Sequence, residues 1–282
     1  MYVVAGVSGH VGSVVASTLL AKGKTIKVIV RDPKKGEPWS KQGAEVAVGS
    51  LTDPDFLAAT LKGASGFFTL LPPDFSAAHV FTAQQKASDS IAEGVRSSGI
   101  PHVVLLSSVG AELPSGTGPI RGLHYLEGKL RATGTKLTAV RAGYFQENVG
   151  SVVGAAKAQG IFPNFTPSAD YPMPMIATKD IGTAAAEALL SPKAEVIDLH
   201  GPAYSIRQVA EKLGSALGKQ LKIVDIAPEN HLEALLQAGL PKPWAEVYAE
   251  MYAAFAAGIV KPSGDRFVNG TTTLDETLKT LV

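Results

Sequence analysis

Residues 6–12 read Gly6-Val7-Ser8-Gly9-His10-Val11-Gly12, with a strand-like run at 2–5 before them and an apolar helical pattern at 11–22 after them. In a strand–turn–helix unit, the first glycine allows the tight turn and the second lets the backbone approach a pyrophosphate. The third lets the helix pack closely on the strand. The chain contains 29 glycines, so the triplet alone would also fit an ordinary tight turn. Its position between strand and helix predicts a dinucleotide-binding site.

The alternation of strand and helix continues through the first half of the chain. Short apolar runs, rich in β-branched residues, are typical of strands covered on both faces, and they lie at 2–5, 25–30, 44–48, 65–70, 102–106 and 137–141. Helical patterns lie between them at 11–22, 53–61, 75–98 and 120–133, each closely followed by glycine. Repeated βα units predict an α/β fold with a Rossmann-type, doubly wound parallel sheet.

The second half of the chain lacks this regular alternation of strands and helices. Stretches 143–150 and 160–174 are rich in glycine, proline and aromatic residues, which predicts loops over the carboxyl ends of the strands. Helical patterns follow at 180–190, 205–217, 229–238 and 244–257, with short strands at 195–199 and 221–226. We expect a dinucleotide-binding Rossmann domain over residues 1–150 and a smaller, mainly helical substrate lobe over residues 151–282 that shares part of the sheet.

Composition argues against several classes of function. A formal net charge of +1 gives no electrostatic footprint for nucleic acid or an anionic membrane, and no apolar run is long enough to span a bilayer. The chain has no cysteine for disulfides or thiolate metal sites, and its six histidines lack metal-ligand spacing. We expect a cytoplasmic protein without a metal, acting on a small molecule. A nucleic-acid partner is expected only of a regulatory protein, and a homodimer is the default for a soluble enzyme.

The end of the second predicted strand bears on the choice of dinucleotide. Arg31 lies there, followed by Asp32, Lys34 and Lys35. An acidic residue at this point binds the 2′-hydroxyl of NAD, whereas an arginine favours the 2′-phosphate of NADP. The guanidinium can fork onto a phosphate, and the two lysines add positive charge, while Asp32 precedes a proline and can simply begin a turn. A solvated charged loop is the alternative, but we predict NADP(H).

Several further motifs occur with the glycine triplet in one order along the chain. They are Arg31-Asp32-Pro33, Leu106-Ser107-Ser108-Val109-Gly110-Ala111, Glu127, Arg141-Ala142-Gly143-Tyr144-Phe145-Gln146-Glu147-Asn148, Met173-Pro174-Met175-Ile176-Ala177-Thr178-Lys179-Asp180-Ile181-Gly182, and Ala238-Gly239-Leu240-Pro241 followed by Trp244. With them the chain resembles the NmrA-like members of the atypical short-chain dehydrogenase/reductases, in particular bacterial triphenylmethane reductases and NADPH:quinone oxidoreductases. The resemblance covers essentially the whole chain and implies the fold and the cofactor more specifically than the substrate.

The resemblance also implies roles for individual residues. It places Gly6, Ser8, Gly9, His10 and Val11 around the pyrophosphate, Arg31 on the 2′-phosphate, Ser50 beside the adenine, and Leu70, Leu71, Pro72, Ser107 and Ser108 beside the nicotinamide ribose. Relatives usually have aspartate at the position of Ser50, so the chain departs from the family's pattern there. Tyr144, Phe145 and Asn148 would face the nicotinamide and the substrate. All of these follow strands, where open α/β sheets bind their ligands.

Tyr125 and Lys129 fit the YxxxK pattern of ordinary short-chain dehydrogenases, but their register argues against that role. Extended relatives carry YxxxKxxxE, and aligning their glutamate with Glu127 puts the tyrosine position on Pro119 and the lysine position on Leu123. The match is displaced by six residues, which is a rotation of about 240° and a rise of about 9 Å along a helix. His124, beside the expected lysine position, and Tyr144 are therefore the candidate proton donors.

The preferred hypothesis is an NADPH-dependent oxidoreductase that transfers hydride to a small flat electrophile such as a quinone or a dye. A quinone needs little enzymatic acid, so such an activity can survive without the tyrosine–lysine pair. The alternative is a non-catalytic regulatory protein of the NmrA type that senses NADP(H), since it would lack the same pair. A reductase or isomerase of a biosynthetic pathway would differ only in its substrate.

Overall fold

The computed structural model describes all 282 residues. The strands are β1 (Tyr2–Val4), β2 (Ile26–Val30), β3 (Glu45–Val48), β4 (Gly66–Leu70), β5 (His102–Ser108), β6 (Lys136–Ala142), β7 (Tyr144–Phe145), β8 (Ile161–Asn164), β9 (Met173–Ile176), β10 (Glu195–His200), β11 (Ala203–Tyr204), β12 (Lys222–Asp225) and β13 (Arg266–Asn269). The helices are α1 (His10–Ala21), α2 (Pro33–Ser40), α3 (Pro54–Leu61), α4 (Val80–Ser98), α5 (Ile120–Arg131), α6 (Val153–Gln159), α7 (Thr178–Leu190), α8 (Ile206–Leu217), α9 (His231–Gln237), α10 (Lys242–Ala256) and α11 (Leu274–Leu278). Two short 3-10 segments cover Gln146–Val152 and Pro228–Asn230.

Eight strands form the main sheet, in the order β13-β10-β6-β5-β4-β1-β2-β3, and all of its strand pairs are parallel. Strand β1 pairs with β2 on one side and with β4 on the other, so the chain reverses its direction across the sheet after β3. This confirms the predicted doubly wound parallel sheet. Ligands of open α/β sheets bind outside the carboxyl ends of the strands at such a reversal, which draws attention to the turns after β1, β4, β5 and β6.

Helices cover both faces of the main sheet. Val4, Val104 and Val140 point to the face on which α1 and α7 pack. Val3 and Val103 point to the opposite face, towards α3, α4 and α5. Because successive residues of a strand point to opposite faces and both faces are buried, these strands read as continuous apolar runs.

Several elements differ from the sequence-based expectations, including β7, α6, β13 and α11, which were not predicted. Helix α2 was not predicted either: Asp32 caps it by accepting a hydrogen bond from the Lys34 amide (2.9 Å), and Pro33 is its first residue. Helix α4 begins at Val80 rather than at residue 75. The stretch 160–174, predicted as loop, contains strand β8 and the start of β9.

The C-terminal part of the chain is joined to the same sheet. Strand β10 lies at the predicted position and pairs with β6, and β13 extends the sheet beyond it. Two small sheets, β11-β9-β7 and β12-β8, pack with α6, α8 and α11 around a separate apolar cluster. The division of the chain near residue 150 stays a prediction. No helix in the structure is long and apolar enough to cross a membrane.

Candidate active site

The glycine turn between β1 and α1 has two positions that its own packing requires to be glycine. Gly6 has φ +70°, and a β-carbon there would collide with the side chain of Leu70. A β-carbon on Gly12 would collide with the backbone of Ala5 and Gly6. These two glycines therefore set the close approach of strand, turn and helix, as the sequence predicted.

Gly9 is different, because nothing in the protein requires a glycine at this position. Its backbone is extended (φ −104°, ψ 172°), and the nearest atom to an added β-carbon is the Gly6 carbonyl oxygen at 3.4 Å. Gly9 is exposed at the N-terminus of α1, and no backbone acceptor is paired with the amides of His10, Val11 and Gly12. Free amides at a helix N-terminus attract anions, so an added side chain here would occupy space that an approaching phosphate needs.

Arg31 follows β2 on the same edge of the sheet. Its side chain is exposed and forms no ion pair, and Lys34 and Lys35 are exposed beside it. Asp32 is occupied as the N-cap of α2, which leaves it less available to a ribose hydroxyl. Ser50 follows β3, and its hydroxyl lies 2.7 Å from that of Thr52. The site therefore offers positive charge where the 2′-phosphate of NADP is expected.

A cavity of about 570 Å³ opens on the same edge of the sheet, at the carboxyl ends of β4, β5 and β6. The ends of these strands and helix α10 both contribute to its lining. The lining contains no aspartate, glutamate, lysine or arginine. It includes Leu70, Leu71, Leu106, Ser107, Ser108, Pro119, Leu123, Tyr144, Phe145, Asn148, Trp244, Tyr248 and Phe255. Such a lining suits a flat, weakly charged molecule.

The structure brings the three predicted substrate residues Tyr144, Phe145 and Asn148 together in this lining, with Leu70, Leu71 and Ser107 beside them. Pro72 is not part of it; the neighbouring Pro73 is. Burial raises the pKa of Tyr144, and a hydrogen bond from Asn148 opposes that shift. A phenol is protonated at neutral pH even without such a shift, so Tyr144 can donate a hydrogen bond.

A buried ion pair lies next to Ser107. Glu127 on α5, 1% exposed, accepts hydrogen bonds from Arg141 Nε (3.0 Å) and Nη2 (2.8 Å). Arg131 Nη2 (2.7 Å) and Ser107 Oγ (2.7 Å) donate to the same carboxylate. Burial acts to raise the pKa of Glu127, but hydrogen bonds from Arg141, Ser107 and Arg131 outweigh it and lower the pKa below its usual value. The carboxylate is therefore ionised.

The same arginine joins the sheet to the loop after α10. Arg141 Nη1 donates to Ser263 Oγ (2.9 Å). The carboxylate of Asp198, which lies beside Arg141 on β10, accepts the backbone amides of Ser263 (2.7 Å) and Gly264 (2.6 Å). Two neighbouring residues of this loop, Val260 and Pro262, line the cavity. The charged network thus fixes one wall of the cavity without exposing a charge in it.

The YxxxK residues lie elsewhere. Tyr125 donates to Asp89 Oδ1 (3.0 Å) and Lys129 pairs with the same carboxylate (2.8 Å) on the surface between α4 and α5. Pro119 and Leu123, the two positions derived from the Glu127 register, line the cavity instead. His124 is not in the lining, because its Nδ1 faces the Ala111 carbonyl oxygen (2.9 Å). Of the two candidate proton donors, only Tyr144 lies in the cavity.

Several lining residues escaped sequence reasoning. Tyr248, Tyr252 and Phe255 recur at helical spacing, which is typical of a core position, yet Tyr248 and Phe255 line the cavity. Burial raises the pKa of both Tyr248 and Tyr252. Other lining residues carry no sequence signal of their own, among them Gln84, His200, Met251 and Val260. No group of three or more His, Cys, Asp or Glu side chains is arranged to hold a metal ion.

The chain is similar to one protein family and to several known proteins. The model of the NmrA-like family matches residues 2–276. The chain is 28% identical to the NAD(P)H azoreductase of Xenophilus azovorans, over 90% of this chain and 86% of that protein. It is 27% identical to a nitrogen metabolite regulation-like protein of Gibberella fujikuroi (87% and 82% covered) and 24% identical to quinone oxidoreductase 2 of Escherichia coli (89% and 86%).

Among solved structures, the triphenylmethane reductase of Citrobacter sp., complexed with NADP(H), has the same fold. The TM-score is 0.84, and the alignment covers 100% of both chains at 23% sequence identity.

Proposed function

The chain belongs to the NmrA-like family, and we propose that it is an NADPH-dependent oxidoreductase that reduces a small flat electrophile such as a quinone or a dye. The observation that carries this proposal is the vacant space at Gly9 beside free helix amides, on the same edge of the sheet as an uncharged, aromatic-lined cavity. Relatives named as an azoreductase and a quinone oxidoreductase support it.

The residues present fit the cofactor. Gly6, Ser8, Gly9, His10 and Val11 would surround its pyrophosphate. Arg31 would bind the 2′-phosphate, Ser50 would lie near the adenine, and Leu70, Leu71 and Ser107 would lie near the nicotinamide ribose. When bound, NADPH supplies hydride to the acceptor. The chain's own contribution is to orient the acceptor between Tyr144, Phe145 and α10 and to exclude water from the cavity.

Reduction of a quinone also requires a proton. Tyr144, whose phenol is protonated at neutral pH, lines the cavity and can donate a hydrogen bond to the acceptor. Solvent can supply the proton itself, since a reduced quinone oxygen is basic. No strong acid at the positions of Pro119 or Leu123 is therefore needed.

The test of the proposal is a panel of quinones, azo dyes and triphenylmethane dyes incubated with the protein and NADPH. Loss of the nicotinamide absorbance band with at least one acceptor, dependent on protein concentration, is the expected result. NADPH binding without turnover of any acceptor would favour the second candidate, a regulatory sensor of NADP(H). The apolar residues at positions 119 and 123 and the regulation-like relative favour that candidate. The cytoplasmic location, the homodimer and the absence of a nucleic-acid partner stay predictions.

We predict that NADPH binds at least tenfold more tightly than NADH, about the effect of one charge-assisted hydrogen bond to the 2′-phosphate. Arg31→Ala should remove most of this preference, as measured by calorimetric titration with both cofactors. Arg96→Ala, which removes an exposed arginine of α4, is the control and should retain the preference. Equal affinities in the wild-type protein would contradict the role of Arg31.

Tyr125→Phe and Lys129→Ala should each leave reductase activity within about tenfold of wild type, because both side chains bind Asp89 outside the cavity. General acid catalysis usually contributes about 10²–10⁴-fold, so a true proton donor would show a larger loss. Substitution of Tyr144 or Asn148 should change kcat or KM more. A thousandfold loss in Tyr125→Phe, with NADPH affinity intact, would mean that the chain works as a conventional tyrosine–lysine reductase.

A further inference from the structure

Ser107 is the last-but-one residue of β5 and lines the cavity. Its hydroxyl donates a hydrogen bond to Glu127 Oε1 at 2.7 Å. The residue is otherwise buried, with 3% of its surface exposed. The direction of this hydrogen bond decides what Ser107 can offer to a bound molecule.

Glu127 can only accept in this bond. Its carboxylate holds the guanidinium of Arg141 in a two-pronged contact and a third donor from Arg131. Two arginines donate to both of its oxygens, so the carboxyl group is ionised and has no proton to donate. The single proton of the Ser107 hydroxyl is therefore committed to Glu127.

The surrounding hydrogen bonds hold Glu127 in the position in which it accepts from Ser107. Arg141 lies beside Ser107 in the pairing of β5 with β6, and its remaining nitrogen binds Glu112 (3.0 Å) and Ser263 (2.9 Å). Rotation of Glu127 away from Ser107 would break charge-assisted bonds in a buried place, which is costly. With Glu127 held in place, turning the hydroxyl proton towards the cavity would remove one donor from this buried carboxylate.

We propose that Ser107 is a specificity-determining residue that presents only lone pairs to the cavity and so recognises an N–H or O–H donor on a bound molecule. This inference rests on the proposed function. A carbonyl oxygen placed against Ser107 would bring two acceptors together, whereas an amide or amino group would complete the serine's hydrogen bonds. By contrast, Tyr144 keeps a proton that it can donate to an acceptor oxygen.

Ser107 would accept a hydrogen bond from an N–H or O–H group, and either of two molecules can supply that group. It is either the carboxamide NH₂ of the nicotinamide ring or an amino or hydroxyl substituent of the acceptor. Two pairs of matched probes separate them. NADPH is compared with its acetylpyridine analogue, in which a methyl ketone replaces the carboxamide. An aminonaphthoquinone is compared with the methylnaphthoquinone of the same ring system.

Wild type, Ser107→Ala and Ser107→Thr are measured with both pairs, by calorimetry for the cofactors and by kcat/KM for the quinones. The expected result is an about tenfold preference of the wild type for the donor-bearing probe in at least one pair, lost in Ser107→Ala and restored by the hydroxyl of Ser107→Thr. Ser98→Ala, which removes a hydroxyl bonded within α4, is the control and should keep the preference.

Two results would overturn the inference. In the first, Ser107→Ala shows the same preference between the two probes as the wild type does, in every pair that the wild type binds or reduces. In the second, the wild type prefers the probe without the donor. The cofactor pair needs no turnover. Failure of the wild-type protein to reduce any quinone therefore counts against the proposed function, while the binding comparison still decides the role of Ser107.

Discussion

Gly9→Val is expected to weaken NADPH binding by about 100-fold or more while the protein stays folded. The extended backbone of Gly9 accepts a branched side chain, and the only neighbour of its β-carbon is the Gly6 carbonyl oxygen at 3.4 Å. The branches would instead fill the space above the free amides of α1, where the pyrophosphate must approach the backbone. Titration calorimetry measures the affinity, and circular dichroism with thermal melting checks the fold.

Two further substitutions serve as comparisons: a smaller side chain at the same position, and valine at a glycine outside the turn. Gly9→Ala adds one methyl group and should lose less affinity than valine. Gly154→Val on α6 places valine at a glycine where an added β-carbon has no neighbour within 4 Å, and it should bind NADPH as the wild type does. A folded Gly9→Val protein with normal NADPH affinity would mean that the pyrophosphate site lies elsewhere.

Arg141→Met is expected to lower the stability of the fold by about 3–5 kcal/mol, because it leaves the Glu127 carboxylate buried without its main partner. Arg141 is 5% exposed, and it also holds the loop that carries Ser263. Denaturant unfolding measures the change. Since NADPH stabilises any state that binds it, the comparison is made without cofactor.

Arg207→Met is the matched control for this substitution. Arg207 makes a similar two-pronged contact with Asp170, at 2.7 Å and 3.0 Å, but both side chains are more than half exposed. Exposed ion pairs contribute little, so the control should unfold close to the wild-type denaturant concentration. Equal losses from the two variants would contradict the view that burial makes the Arg141 pair structural.

The sequence predicts the central strands β1, β2, β4, β5 and β6 well because they are buried on both faces and so read as unbroken apolar runs. The edge strand β13 is largely exposed and escaped prediction. The sequence also predicts the glycine turn, whose strict packing at Gly6 and Gly12 leaves little choice of residue. Helix α2 escaped prediction because Gly36 and Pro38 are poor helix formers. Capping by Asp32 and packing of Gly36 against Val46 offset that preference.

The sequence predicts those site residues that lie at or just after the carboxyl ends of the sheet strands. Tyr144 and Ser107 directly follow or end strands of the sheet, so topology places them at one edge. Tyr248 and Phe255 reach the cavity because α10 folds across that edge, and helical spacing alone cannot distinguish a cavity wall from a core. The surface position of Tyr125 was predictable from the register of Glu127, which Arg141 fixes in the interior.

The central claim is that the protein binds NADPH at the glycine turn and brings an acceptor to it in the adjoining cavity. Single-turnover mixing tests this most directly. The protein is loaded with limiting NADPH, labelled with deuterium on one or the other face of C4, and mixed with a quinone or azo dye. We predict loss of the nicotinamide absorbance in one phase, slowed by deuterium on one face only. An absorbance that persists with every acceptor, in a protein that binds NADPH, would contradict the claim.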